Sequence, residues 1–95
     1  MNSKYQSELV TILLAVKNKK EMADFLYGIL TPQELEEIPV RLQIIKLLKK
    51  GVPQHEIAKK LGIGVATVTR GSKEIAKGRF STITKMGWRA SKKGG

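Results

Sequence analysis

The side chains of this chain that could do chemistry are mostly cations. Its 95 residues hold 18 Lys and Arg against 8 Asp and Glu, with no Cys and one His, His55. Thiol catalysis, disulfide frameworks and Cys-based zinc sites are excluded. One imidazole cannot build a multi-histidine metal centre. The carboxylates show no paired-acid or nucleophile–base arrangement, so the chain is not expected to be an enzyme. The cations are unevenly placed. Residues 1–45 carry five basic and six acidic side chains, whereas residues 46–95 carry thirteen basic and two acidic ones, Glu56 and Glu74. That surplus exceeds what solubility needs and points to a polyanion, nucleic acid first. An anionic membrane surface fits less well, because the basic end lacks a long apolar face.

The most informative stretch is residues 54–70, QHEIAKKLGIGVATVTR. Two helices crossing through a tight turn need a small residue at the crossing and a glycine at the turn. Ala58 and Gly62 supply these, and Ile57, Leu61, Ile63 and Val68 supply a shared apolar core. The outward positions Gly64, Ala66, Thr67 and Thr69 are small or polar. A helix entering a major groove needs such a face, since the groove limits bulk and its base edges offer hydrogen bonds and thymine methyls. Gln54, His55, Lys59, Val65, Ala66, Thr67 and Thr69 are therefore expected at the groove and its walls, with Lys73 and Lys77 on phosphates. A plain helical hairpin explains the apolar spacing but neither the small face nor the flanking cations.

The elements that must position these residues are all helical. Residues 3–19 read as a helix buried on most sides, through Leu9, Val10, Ile12, Leu13, Leu14 and Val16. Residues 17–20 read as a turn and residues 21–30 as a second helix. Thr31-Pro32-Gln33-Glu34 is a capping box with proline at the first helical position. The helix it opens runs to about Lys50 and stops at Gly51, with an apolar seam of Leu35, Ile38, Leu42, Ile45 and Leu48. Pro39 should kink it or mark a short first turn before a restart. Helices over 54–61 and 65–77 follow. From Gly78 the pattern fails. Residues 1–78 are thus one helical domain and 79–95 a basic, Gly-rich tail, flexible over its last residues. No apolar run is long enough to span a membrane, no secretory signal is evident, and the expected location is the cytoplasm.

Residues 64–72, GVATVTRGS, resemble the tryptophan repressor family, as do Leu30-Thr31-Pro32, Arg41 and the Leu47-Leu48 pair ahead of Gly51. The resemblance covers about residues 7–78. It implies an all-α, intertwined helical homodimer that binds L-tryptophan as corepressor and then double-stranded operator DNA. It further implies a ligand site of Arg41, Arg70 and Thr31, with Gly71 leaving room beside the ring. A guanidinium can stack on an indole face and a second can hold a carboxylate. The residues by themselves offer simpler partners: Glu37 at i−4 for Arg41, a phosphate for Arg70. The chain departs from the family in three places. Glu74 stands where a small hydroxyl helps hold the ligand's ammonium; it could pair with that ammonium, or with Lys73, Lys77 or Arg41 and obstruct the site. The link Gly51-Val52-Pro53 is one residue shorter. The last dimer helix is not recognisable. A ligand-independent DNA-binding regulator on the same fold and a charge-driven RNA-binding or interaction module stand as the alternatives.

Overall fold

The computed structural model describes residues 2–81, so the reading of residues 82–95 as tail lies outside the described residues. The elements are α1 Ser3–Ala15, α2 Lys19–Ile29, α3 Pro32–Lys49, α4 Gln54–Leu61 and α5 Val65–Ala76, with no strand among the described residues. The all-α class expected from the sequence holds. The chain divides into two compact units, one ending at Glu36 and one beginning at Glu37.

In the first unit the helix ends are set by local side chains. Asn2 opens α1, its Oδ1 accepting from the N–H groups of Lys4 (2.9 Å) and Tyr5 (3.2 Å). Asn18 opens α2 in the same way, accepting from the Glu21 N–H at 2.8 Å, while the Glu21 carboxylate accepts from the Lys17 N–H at 3.4 Å. Lys19 and Lys20 therefore begin α2 rather than forming the turn, and α1 ends at Ala15, four residues short of the expected bound at Lys19. Thr31 and Glu34 form the expected reciprocal box: the Glu34 N–H donates to Thr31 Oγ1 (3.1 Å) and the Thr31 N–H to Glu34 Oε1 (2.9 Å). The expectation that α1 is buried on most sides fails in the protomer. Neither α1 nor α2 has a buried residue, and Leu14 is 81% exposed. A pair of short helices has no second layer to cover its apolar sides.

The second unit holds the core. Ile57 and Val68 have no exposed surface, Ile44 has 1%, and Ala58 is small where the helices cross. Val40, Leu47, Leu48, Val52, Leu61 and Ile63 pack around this cluster. Thus α3 turns Val40, Ile44, Leu47 and Leu48 inward. Of the seam expected from sequence only Ile45 is buried, with Leu35 and Leu48 half-buried, while Ile38 and Leu42 are exposed. The helix is apolar on more than one side, so its periodicity does not select a single face. Pro39 does not break α3, which is continuous. The proline withholds one N–H from the carbonyl four residues back, in a stretch exposed to water that can satisfy it.

Glycines set the turns that lead into α4 and α5. Gly51 (φ +85°) ends α3, with Val52 N–H donating to the Leu47 carbonyl (3.1 Å) and Gly51 N–H to that of Leu48 (3.0 Å). Gly62 (φ +66°) ends α4, with Ile63 N–H donating to the Ala58 carbonyl at 3.0 Å. These are six-to-one closures that require a left-handed residue, which glycine adopts without a Cβ penalty. The residue after each glycine, Val52 or Ile63, folds back onto the core.

Candidate nucleic-acid interface

Helices α4 and α5 are clamped by the fully buried pair Ile57 and Val68. That packing fixes which side of α5 remains outside. Val65, Ala66 and Thr67 are exposed on its first turn, with Arg70, Lys73 and Lys77 exposed further along. Gly64 precedes the helix in extended conformation, so no cap side chain stands in front of the first turn. On α4, His55 and Lys59 are exposed and Gln54 is half-buried. The residues expected at a groove thus lie at the surface of one two-helix body, with a small, polar first turn and cations behind it. Among the described residues Lys59, Lys73 and Arg70 have no ion-pair partner, so their charge is available to an anion.

One contact joins the two helices through polar atoms. The Thr69 hydroxyl lies 2.7 Å from Gln54 Oε1 and 3.1 Å from the carbonyl of Val65. Gln54 opens α4 and Thr69 sits in the middle of α5, fifteen residues on. No local sequence signal reports this pairing; it follows from how the helices cross.

The residues that the family resemblance assigns to a ligand have the following surroundings. Arg41 lies 3.6 Å from Glu37 one turn earlier, both well exposed. Such a pair contributes about 0.3–0.5 kcal/mol, so a better-placed anion or ring could displace it. Arg70 is exposed. Thr31 belongs to the first unit, where its hydroxyl caps α3. Gly71 is a point of close approach: a Cβ there would lie 3.1 Å from Ile44 Cγ2, 3.3 Å from Ile45 Cδ1 and 3.5 Å from Leu48 Cδ1. The side of Gly71 where a side chain would project faces α3 closely, and that packing by itself favours the glycine.

Glu74 is engaged at the end of α5. Lys77 Nζ donates to Glu74 Oε2 at 2.8 Å and Arg79 Nε to Glu74 Oε1 at 3.1 Å. The Lys77 hydrogen bond, together with the charges of Lys77 and Arg79, holds its carboxyl below the usual carboxylate range. The backbone supports the arrangement, since Arg79 N–H donates to the Glu74 carbonyl (3.3 Å) and Gly78 N–H to that of Ile75 (2.9 Å). Of the partners considered from sequence, Lys77 is the one met. Arg79 was missed because it lies beyond the helix, where helical spacing gives no guide. Among the described residues no cluster of His, Cys, Asp or Glu could hold a metal ion, and no helix is long and apolar enough to cross a membrane.

Comparison with known proteins identifies the family of the chain. Residues 4–85 match the model of a family described as Trp repressor protein. A "Trp operon repressor homolog" of Actinobacillus succinogenes is 48% identical over 63 residues, 65% of this chain and 61% of that protein. One of Vibrio campbellii is 33% identical over 69 residues, 72% of this chain and 69% of that protein. One of Pasteurella multocida is 50% identical over 48 residues, 50% of this chain and 47% of that protein. The chain spans about three fifths of the length of the first of these. No solved structure matches. The matched stretch includes α2 to α5 whole, the helix pair and its exposed face among them, and the chain belongs to the Trp repressor family, whose members are transcription regulators rather than enzymes.

Proposed function

We propose that this protein is a cytoplasmic transcriptional repressor that binds double-stranded operator DNA as a homodimer, with L-tryptophan as corepressor, at genes of tryptophan biosynthesis or transport. The observation that carries the DNA reading is the exposed first turn of α5, Val65-Ala66-Thr67, held outward by the buried Val68 and backed by Lys73 and Lys77. A helix so presented enters the major groove by its N-terminal residues, while cations behind it meet phosphates. Dimerisation is supported by the apolar side chains the protomer leaves uncovered, Leu9, Val10, Ile12, Leu14, Ile38 and Leu42 among them. Exposed apolar side chains gathered on helices in this way mark an interaction surface. Sedimentation at micromolar concentration should give a dimer, and a folded monomer with a concentration-independent melt would refute it.

The corepressor reading rests on Arg41 and Arg70, exposed and weakly engaged, in a chain of this family. Calorimetric titration with L-tryptophan tests it before any operator is known. Arg70→Leu removes a charge-assisted partner of the carboxylate and should lower affinity about ten- to a hundredfold. The engagement of Glu74 by Lys77 and Arg79 favours a second reading, a regulator needing no corepressor. If Glu74 obstructs the site, Glu74→Ser should sharply improve tryptophan binding. If neither protein is stabilised by millimolar tryptophan, the ligand-independent regulator replaces the corepressor reading.

A further inference from the structure

We infer that Gln54 and Thr69 form a polar latch between α4 and α5 that fixes the Gln54 amide as a donor to a DNA phosphate, so that Thr69 positions the contact instead of reading a base. This deepens the DNA-binding reading and rests on it. Thr69 has a single hydroxyl proton, and two acceptors flank it, Gln54 Oε1 at 2.7 Å and the Val65 carbonyl at 3.1 Å. A threonine so occupied on its own protein has no donor left for a base edge. Gln54 is held at the oxygen end of its amide, which leaves the Nε2 hydrogens as the groups it can offer. Its position decides what they meet. Gln54 is the first residue of α4, and in a helix-turn-helix the first helix crosses the phosphate backbone while the second enters the groove. Glutamine amides are common phosphate donors, and such contacts fix register without carrying sequence information. A half-buried amide held by a second helix has already lost its rotamer freedom, which favours binding.

The latch predicts a pattern that separates Thr69 from a base-reading residue and from a cationic phosphate contact. Duplexes are selected from a random library by the full chain with millimolar L-tryptophan. The best duplex and a scrambled one are then measured at several salt concentrations with wild type, Thr69→Val, Thr69→Ser, Gln54→Leu and the double variant Thr69→Val with Gln54→Leu. Thr69→Val should weaken binding about two- to tenfold on both duplexes, the size of one neutral hydrogen bond. The ranking of duplexes and the salt slope should stay unchanged, because no charge is removed. Thr69→Ser should restore affinity, and the double variant should be no weaker than the worse single one. Thermal melts without DNA decide the latch separately: the losses from Gln54→Leu and Thr69→Val should be less than additive. Additive melts, or a changed duplex ranking with Thr69→Val, overturn the inference. Failure of the wild type to prefer any duplex overturns the DNA-binding reading, and the phosphate role with it, whereas the melts still judge the latch.

Discussion

Gly71→Ala puts the packing of α5 on α3 to a quantitative test. The new methyl would lie 3.1 Å from Ile44 Cγ2 and 3.3 Å from Ile45 Cδ1, both closer than ordinary carbon contacts of about 3.5–4.0 Å. Both isoleucines must yield by a few tenths of an ångström. Ile44 is backed by Ile57, Ala58 and Val68 in the core and has 1% of its surface exposed, so it has little room to move. Overpacking of this kind costs about 1–3 kcal/mol. Against it stands the helix preference of alanine over glycine, about 1 kcal/mol in a helix interior. The net expectation is a loss of about 0–2 kcal/mol. For a domain of this size a loss of about 1 kcal/mol lowers Tm by about 4–8 °C. The assay is thermal and urea denaturation at fixed protein concentration, with a double-mutant cycle to Ile45→Val, which removes the Cδ1 atom in the way. Ile45→Val alone should cost about 0.5–1.5 kcal/mol, and the double variant less than the sum of the two. If Gly71→Ala stabilises the protein by the full helix-propensity gain, the close approach is wrong. If it stabilises the protein in that way and also abolishes tryptophan binding, the glycine serves the ligand rather than the packing.

Three further outcomes follow from particular contacts. Thr31→Ala removes one half of the box that starts α3 and should cost about 1 kcal/mol in the melt, with Glu34→Ala giving no large additional loss in the double variant. Glu74 has a folded pKa below its unfolded value, so its contribution is present above the unfolded value and disappears as pH falls through the folded one. The Tm difference between wild type and Glu74→Gln should therefore hold near neutrality and fade in the acid carboxylate range; a difference persisting to strong acid would exclude the Lys77–Arg79 clasp as its source. Lys73→Ala should weaken binding to all duplexes alike and reduce the salt slope by about 1, read from binding curves over a salt series.

Local chemistry wrote much of this fold into the sequence. Thr31-Pro32-Gln33-Glu34 sets the start of α3 because the cap uses atoms three residues apart. Gly51 and Gly62 set helix ends because only a left-handed residue closes the six-to-one turns they occupy. Asn18 and Glu21 carried the same kind of information, and the start of α2 was legible there although the charged run around them suggested a turn. The bounds of α4 and the core roles of Ile57 and Val68 also follow from spacing, because a short helix with one apolar side has one way to bury it. Tertiary structure decided what spacing leaves degenerate. In α3, Ile38 and Leu42 compete with Val40 and Ile44 for the core, and only the position of the α4–α5 pair selects the second set. The close approach at Gly71, the Gln54–Thr69 contact and the Arg79 bond to Glu74 join atoms whose separation no helical period governs. Caps are fixed by residues a turn apart in the chain; crossings are fixed by which surfaces exclude water together, and that is a property of the assembled helices alone.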